Sequence, residues 1–214
     1  MVKKVRCAAA HEKIRRTLSE FFGGFGLRED EHWQVDRVTE SVTEKGVPLK
    51  MVTLNLTLKR GNAPSFAVAA LSEDGKQVLA YSQVRVEKNS FNRELKRLFP
   101  KGKTAYFEPI MSCRTLPRWM AKIFKNKFSL AFGVKKGFSR KGVGTALMRE
   151  LLLETRRREI EVVELSGFTN RAWRNTLIKK LGARPAKRFL QDAVYWIPKE
   201  FAEREARRLP AASR

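Results

Sequence analysis

The strongest constraint on the fold is a change in the spacing of apolar residues along the chain. From Trp33 onward apolar and polar residues alternate with a period of two, which is typical of half-buried strands. The alternation covers 33–42 and 50–60, and two further predicted strands over 65–71 and 77–87 flank a turn. Turn residues separate them, and Asp74-Gly75 lies at the tip of a predicted hairpin. This part of the chain therefore predicts four strands in consecutive order behind a helix over 11–22.

The second half of the chain alternates between strand-like and helix-like segments. The predicted order is a strand over 128–134, a helix over 142–159, a strand over 160–167, a helix over 170–182 and a strand-rich segment over 186–198. Strands that alternate with helices favour parallel pairing in a sheet that helices cover. Both halves together predict an α/β fold with a mixed, mostly antiparallel central sheet flanked by helices.

Residues 88–127 match neither the consecutive strands of the first half nor the alternating strands and helices of the second. They contain two short segments with amphipathic helical spacing, and between Arg93 and Lys127 ten lysines and arginines stand against Glu94 and Glu108. We interpret this segment as a basic helical insertion. The predicted organisation is a single domain over 1–198, followed by a charged helical tail over 199–214 that frays at its end.

The charge of the chain is strongly unbalanced. Forty-five lysines and arginines against 22 acidic residues give a net charge of +23 and a pI near 10.6. Such a surface attracts polyanions, with RNA or DNA expected before an anionic membrane. The apolar runs are far shorter than the roughly 20 residues of a membrane span, and no signal peptide is predicted. The sequence therefore predicts a cytoplasmic protein.

Cysteine and histidine are too sparse to predict a metal site. Cys7, Cys113, His11 and His32 are the only residues of these two types, and no pair has the spacing of zinc ligands. Two isolated cysteines are typical of a reducing compartment, and we interpret both as inert thiols.

The segment 132–145 carries the clearest chemical signal. An apolar strand that ends at Val134 leads into a basic turn, and the Gly-Val-Gly of 142–144 opens a predicted helix. The first N–H groups of a helix have no intrahelical acceptor, and the helix dipole adds positive potential there. Arg140 and Lys141 add positive charge. Because glycine lets an anion approach the backbone closely, the sequence predicts a phosphate-binding loop.

Two common phosphate loops do not match this segment. A nucleoside-triphosphate loop would need Gly-x-x-x-x-Gly-Lys-Ser/Thr, which is not present. A dinucleotide fingerprint would need a third glycine where the chain has Leu147.

The run V-K-K-G-F-S-R-K-G-V-G-T-A-L resembles the acyl-CoA loop of the GNAT acyltransferase superfamily. In that family a strand ends in Val, and Arg/Gln-x-x-Gly-x-Gly/Ala opens a long helix. Gly142 and Gly144 match the two glycines, whereas Ser139 stands in the Arg/Gln position and Arg140 follows one place later. The run over 170–183 is similar to the family's Asn-x-x-Ala … Leu-Gly-Phe segment, with one extra residue and a final Ala instead of Phe.

The resemblance covers about 65–198 and implies a GNAT-like fold with an N-terminal extension. It implies acetyl-CoA, or another acyl-CoA, as the cofactor. The backbone of Phe132 to Val134 would pair with the pantetheine arm, Asn170 would lie near the far end of that arm, and the loop would hold the diphosphate. The implied cofactor-binding residues are Phe132, Gly133, Val134, Ser139, Arg140, Lys141, Gly142, Val143, Gly144, Thr145 and Asn170.

Acyl transfer from a thioester to an amine requires one group that deprotonates the amine and one that protonates the leaving thiolate. The resembled family uses a Glu near the central strands and a Tyr before its Leu-Gly-Phe segment, but Ile178 stands in the Tyr position here. The catalytic candidates that remain are Tyr195 and Glu108. We interpret Glu164 as a solvent-facing strand residue and Cys113 as a thiol without a histidine partner. Catalysis mainly by positioning is the alternative.

The stretch 170–188 contains no acidic residue. Its seven basic residues are Arg171, Arg174, Lys179, Lys180, Arg184, Lys187 and Arg188, and three further arginines stand at 156–158. Trp119, Trp173 and Phe124 either stack on unpaired bases or anchor amphipathic helices.

These features leave three functional hypotheses open. The first is an acyl-CoA-dependent N-acyltransferase whose acceptor amine lies on or beside a polyanion, such as a ribosomal protein, a nucleic-acid-binding protein or aminoacyl-tRNA. The second is a nucleic-acid-binding protein on a GNAT scaffold that has weak or no transferase activity. The third is an acyltransferase for a small-molecule amine, in which the charge is incidental.

Overall fold

The computed structural model describes residues 2–24, 29, 32–57, 65–87, 103–108, 132–135, 137–166, 171–188 and 191–208. The chain divides into two compact units. The first consists of Met1–Val84 and Glu108–Leu147, and the second of Arg85–Phe107 and Met148–Arg214. The predicted division into one domain over 1–198 and a tail stays a prediction.

The first unit is built from one long helix and antiparallel strands. Its elements are α1 (Val2–Gly23), β1 (Trp33–Val42), β2 (Pro48–Leu56), β3 (Ser65–Ser72), most of β4 (Val78–Glu87) and β6 (Phe132–Val134). Neighbouring strands follow the chain in the order β1-β2-β3-β4, and β6 pairs with β4. The register aligns Trp33 with Leu56 in β1–β2 and Ala80 with Val134 in β4–β6.

Helix α1 packs through the apolar stripe that its sequence predicts. Ile14, Leu18 and Phe22 recur every four residues on one face, and all three are buried. The Phe22 ring lies 5.1 Å from the ring of Trp33 and 5.5 Å from that of Tyr81, between ring centroids. These contacts join α1 to β1 and β4 and form the core of the first unit. The helix predicted over 11–22 is confirmed, and it begins earlier, at Val2.

The second unit mixes parallel and antiparallel strands. Its elements are β5 (Thr104–Glu108), most of α2 (Val143–Arg157), β7 (Val162–Ser166), α3 (Arg171–Leu181), β8 (Arg184–Arg188), β9 (Gln191–Trp196) and α4 (Pro198–Arg208). The strand order is β5-β7-β9-β8. Strand β5 is parallel to β7, whereas β7–β9 and β8–β9 are antiparallel. The predicted mixed, mostly antiparallel sheet with flanking helices is confirmed.

Several predicted segments change their bounds or lie outside the described residues. The strand-rich run over 186–198 is two strands, because the chain reverses between β8 and β9. The tail begins with α4, whose Phe201 is buried. The two short helices predicted within 88–127 lie outside the described residues, of which this insertion contributes only 103–108.

Candidate functional site

The loop that follows β6 has an unusual backbone. The Lys135 N–H donates to the Leu79 carbonyl at 2.7 Å and so extends the pairing of β6 with β4. Gly137, Arg140 and Gly142 then adopt positive φ values of 93°, 61° and 83°. Positive φ is rare for residues other than glycine, so Arg140 marks a backbone that its surroundings hold in place.

The loop opens directly into the N-terminus of α2. The first intrahelical bond runs from the Ala146 N–H to the Gly142 carbonyl, at 2.9 Å. The N–H groups of Val143, Gly144 and Thr145 precede this bond and therefore have no acceptor within the helix. Gly142 stands at the cap position and has no side chain with which to accept from them. These three donors are therefore available to an acceptor outside the helix.

The turn between β1 and β2 packs against the loop, where Thr43 lies next to Gly142. A Cβ at position 142 would lie 3.2 Å from the Cβ of Thr43, which is tighter than an ordinary contact. Thr43 is 5% exposed, and its Oγ1 accepts from the N–H groups of Lys45 and Val47 at 3.3 and 3.1 Å. Because this turn is held by its own hydrogen bonds, it has little freedom to move away. Both the contact and the positive φ therefore favour glycine at 142.

The loop also carries two exposed cations. Lys141 Nζ lies over the Phe138 ring, 4.8 Å from its centroid, in a cation–π contact that orients the side chain. Arg140 and Ser139 are exposed at the same turn. The first turn of α2 contains no acidic residue. Positive charge from the side chains therefore adds to the potential of the helix end.

The structure brings most of the predicted cofactor-binding residues into one continuous stretch of the first unit. Phe132, Gly133 and Val134 form β6, opposite Ser82, Tyr81 and Ala80 of β4. Residues 139–142 form the loop, and 143–145 form the first turn of α2. Asn170 lies outside the described residues. The assignment of these residues to a cofactor stays a prediction.

The two catalytic candidates lie on strands. Tyr195 is the fifth residue of β9 and is 8% exposed, in an apolar cluster with Val162 and Ala193. Glu108 is the last residue of β5, of which the structure describes the backbone. Their catalytic roles stay predictions.

The interpretation of Glu164 as a solvent-facing residue is wrong. Glu164 is 1% exposed. The physical reason is that both faces of β7 are covered, since consecutive residues from Val162 to Leu165 are all buried. The sequence contains a signal for this burial, because Glu164 is the one charged residue within V-V-E-L-S.

The basic stretch 170–188 forms part of the surface of the second unit. Lys179 and Lys180 are exposed on α3, and Trp173 is half-buried on the same helix. Strand β8 is the last in its strand order, so Arg184 lies on an edge strand, where it pairs with Glu200 of α4 at 2.6 Å. Arg184 therefore has an acidic partner from outside the stretch. Trp119 and Phe124 lie outside the described residues.

Clustered metal ligands and membrane-spanning helices are both lacking among the described residues. Over the residues that the structure describes, no three His, Cys, Asp or Glu side chains come together as a metal site would require. None of the described helices has the length and apolar character needed to cross a membrane.

Comparison with known proteins gives partial structural overlaps. No protein-family model and no curated protein matches the sequence. Among solved structures, the GNAT domain of PAT from S. lividans is 12% identical, with 75% of this chain and 96% of that chain covered at a TM-score of 0.46. The ribosomal-protein-alanine N-acetyltransferase from Brucella melitensis is 15% identical, with 64% of this chain and 69% of that chain covered at a TM-score of 0.37.

A third overlap is with a protein from Pyrococcus horikoshii. It is 15% identical, with 61% of this chain covered at a TM-score of 0.37, and this chain spans 64% of its length. All three TM-scores lie below 0.5, and such partial overlap does not establish a shared function.

Proposed function

We propose that this protein is an acyl-CoA-dependent N-acyltransferase, with acetyl-CoA as the first cofactor to test. The observation that carries the proposal is the junction of β6, the loop and α2. There Gly142, at a φ of 83°, opens a helix whose first N–H groups have no intrahelical acceptor. The resemblance of the same residues to the GNAT acyl-CoA loop supports acyl-CoA over other phosphate compounds.

Coenzyme A fits the chemistry of this junction. Its diphosphate needs several donors at close range, and the N–H groups of residues 143–145 supply them. Arg140 and Lys141 add charge that favours an anion, and glycine at 142 and 144 keeps side chains away from the backbone donors. By resemblance, the backbone of β6 would pair with the amides of the pantetheine arm, and Asn170 would lie near the far end of that arm.

The reaction would join an acceptor amine to the acyl carbon of the thioester and release CoA as a thiol. The chain must then move a proton from the amine to the sulfur. Tyr195 and Glu108 are the residues that we first propose for this task. Positioning of the two substrates would supply part of the rate.

Calorimetric titration with acetyl-CoA tests the proposal. The purified protein, treated with nuclease, should bind acetyl-CoA with a micromolar dissociation constant. The double variant Gly142→Val/Gly144→Val should lose this binding, because side chains would cover the backbone donors. A wild-type protein that does not bind acetyl-CoA, or a double variant that binds as tightly as wild type, would contradict the proposal.

We infer that the acceptor amine lies in the cytoplasm, on or beside a polyanion. The net charge of +23 exceeds what the phosphates of CoA require. A ribosomal protein, a nucleic-acid-binding protein or aminoacyl-tRNA would supply both an amine and a nearby polyanion. Incubation with labelled acetyl-CoA and salt-washed ribosomes, followed by separation of protein from RNA, would show which component takes the label.

A specific observation favours a second candidate function, nucleic-acid binding without acyl transfer. Lys179 and Lys180 are exposed on α3 and Arg184 is exposed on the edge strand β8, within a stretch that has no acidic residue. Labelled single-stranded RNA should then bind with an affinity that falls steeply between about 50 and 200 mM salt. Lys179→Glu/Lys180→Glu should weaken this binding more than the matched pair Lys45→Glu/Lys76→Glu in the first unit. Equal effects of the two pairs would contradict a specific RNA-binding surface.

A further inference from the structure

One threonine stabilises the turn over 43–47, which joins β1 to β2. Thr43 is 5% exposed, and its hydroxyl oxygen accepts from the N–H groups of Lys45 and Val47 at 3.3 and 3.1 Å. Its backbone N–H donates to the Val47 carbonyl, and its carbonyl accepts from the Gly46 N–H, both at 2.9 Å. Because these bonds all involve one residue, the shape of the turn depends on Thr43.

The same residue is where this turn contacts the loop over 137–142. A Cβ at position 142 would lie 3.2 Å from the Cβ and 3.6 Å from the Oγ1 of Thr43. Val143, which directly follows this contact, is fully buried. Thr43 and Gly142 belong to the same compact unit. The hydrogen-bonded turn therefore packs against the loop at the point where the loop enters α2.

The hydrogen bonds within the loop are short-range. The Phe138 N–H donates to the Lys135 carbonyl at 3.0 Å, and the Lys141 N–H donates to the Phe138 carbonyl at 3.4 Å, which is long for a bond of this type. Arg140 adopts a φ of 61°, a conformation that is unfavourable for a residue with a side chain. Such a loop keeps one conformation only when neighbouring structure holds it. Thr43 supplies contact from a part of the chain distant in sequence.

We propose that Thr43 is a positioning residue of the cofactor site, which holds the loop over 137–142 in the conformation that binds the anion. This inference rests on the proposed function and deepens it, because the resemblance to the GNAT family covers only about 65–198. Thr43 acts through Gly142 and is not proposed to touch the cofactor. The N–H groups of residues 143–145 follow Gly142 directly, so the position of Gly142 sets where these donors point.

The expected effect is on affinity, and it follows from the population of the loop conformation. When only a fraction of the molecules has a binding-competent loop, the apparent dissociation constant rises by the inverse of that fraction. A weakened turn that leaves about a tenth of the molecules competent would therefore raise the apparent dissociation constant about tenfold. The complex itself should be the same as in wild type, because the cofactor selects the same loop conformation.

Thr43→Val removes the hydroxyl group and keeps the shape of the side chain. The N–H groups of Lys45 and Val47 then lose their acceptor, and the turn is less well held. We expect the dissociation constant for acetyl-CoA to rise about tenfold. Thr43→Ser restores the hydroxyl group, and its dissociation constant should return to within about twofold of wild type.

Gly46→Ala weakens the turn without touching the loop. Gly46 has a φ of 75°, and no heavy atom of the described residues lies within 4 Å of a Cβ at this position, so the substitution strains only the backbone of the turn. Binding should weaken as in Thr43→Val, and this variant carries the test if Thr43→Val does not fold.

Thr17→Val is the matched control. The Thr17 hydroxyl donates to the Gly75 carbonyl at 2.8 Å, so this substitution also removes a hydroxyl group that bonds to a turn of the first unit. The turn in question joins β3 to β4 and not β1 to β2. Thr17→Val should therefore bind acetyl-CoA as tightly as wild type.

Two measurements separate affinity from loop conformation. Calorimetric titration with acetyl-CoA is carried out at a temperature at which thermal unfolding shows every variant to be folded. Amide hydrogen exchange without ligand reports local opening. The amides of 137–145 should exchange faster in Thr43→Val and Gly46→Ala than in wild type, and bound acetyl-CoA should remove the difference. A general loss of stability would instead speed exchange in all strands of the first unit.

The outcomes separate this inference from the proposed function. A wild-type protein that does not bind acetyl-CoA overturns both. If wild type binds acetyl-CoA and both Thr43→Val and Gly46→Ala bind it equally tightly, the role of Thr43 alone is overturned. The same conclusion follows if Thr17→Val loses as much affinity as Thr43→Val, or if affinity falls while the exchange of 137–145 stays at the wild-type rate.

Discussion

Two helix ends in this protein carry a glycine in the left-handed conformation. They differ in whether the protein itself supplies hydrogen-bond partners for the backbone groups at that end. Gly182 follows the C-terminus of α3 with a φ of 63°, and Gly142 precedes the N-terminus of α2 with a φ of 83°. At α3 the protein supplies the missing partners itself. The N–H groups of Gly182 and Ala183 donate to the carbonyls of Ile178 and Leu177 at 3.1 and 3.2 Å.

Side chains complete the end of α3. The indole N–H of Trp196 donates to the Leu181 carbonyl at 3.1 Å, and the Arg204 guanidinium donates to the same oxygen. At α2 the cap residue is a glycine, and the polar neighbours on the loop are exposed cations. A glycine at positive φ therefore stands at both helix ends, but the protein supplies the partners itself only at α3, and the proposed function assigns the donors of α2 to a bound anion.

The largest effect on stability is expected at Gly182. A Cβ there would overlap the Arg204 guanidinium, and the residue would remain at positive φ. Gly182→Val should lower the free energy of unfolding by about 3 kcal/mol, from the left-handed strain together with a lost charged hydrogen bond. Chemical denaturation measures this. Gly23→Ala is the control, because nothing lies within 4 Å of a Cβ at position 23, and it should change stability by less than about 0.5 kcal/mol.

A smaller effect is expected from the side chain that closes α3. Arg204→Ala should lower the free energy of unfolding by about 1 kcal/mol, because the Leu181 carbonyl keeps its bond from Trp196. Arg207→Ala, which removes an exposed arginine of the same helix, is the matched control. If both variants were equally stable, the end of α3 would not depend on its side-chain cap, and the contrast with α2 would weaken.

At the N-terminus of α2, a substitution should change the affinity for acetyl-CoA. Lys141→Ala should weaken acetyl-CoA binding about three- to fivefold at low salt, the scale expected for one cation near a helix N-terminus. The difference should shrink as salt is added, because exposed charges are screened. Titration at two salt concentrations measures this, with Lys76→Ala as the control. An unchanged affinity for Lys141→Ala would mean that the backbone donors alone hold the anion.

The smallest effect on stability is expected at the turn between β3 and β4, which also contains a glycine at positive φ. Gly75 has a φ of 70°, and Thr17 of α1 donates to its carbonyl at 2.8 Å. The Ser72 hydroxyl and the Lys76 N–H donate to the Asp74 carboxylate and lower its pKa below the usual value. This stabilisation is therefore present above the unfolded-state pKa and is lost as the pH falls through the folded-state pKa.

Asp74→Asn should remove that part of the pH dependence. The melting temperatures of variant and wild type should differ at neutral pH and converge in acid. A difference that grew as the pH fell would contradict this account of the turn.

The strands and the loop could be predicted from local patterns. Alternation over 33–42 set the bounds of β1 closely, since a half-buried strand repeats every two residues. The glycines at 142 and 144 indicated the start of α2 to within one residue, because glycine spacing before an amphipathic run is itself a local signal. The antiparallel order of β1 to β4 followed from short turns.

What could not be predicted depends on contacts between distant segments. Glu164 is buried in a sheet whose neighbouring positions, Tyr106 and Tyr195, lie 58 and 31 residues away along the chain, so its surroundings leave no local pattern. The contact of Gly142 with Thr43 joins positions that no periodic pattern relates. The capping of the α3 C-terminus by Arg204 could not be predicted either, because a capping side chain 23 residues away leaves no pattern in the local sequence.

The most direct test of the contrast between the two helix ends is the rise in melting temperature that saturating acetyl-CoA produces in wild type, Gly142→Val and Gly182→Val. Ligand at about 100 times its dissociation constant adds about 2.7 kcal/mol to the stability of a protein that binds it. Our account predicts that wild type and Gly182→Val show this rise, with Gly182→Val starting from a lower melting temperature, and that Gly142→Val does not. A rise in Gly142→Val equal to that of wild type would contradict the assignment of this helix end as the cofactor loop.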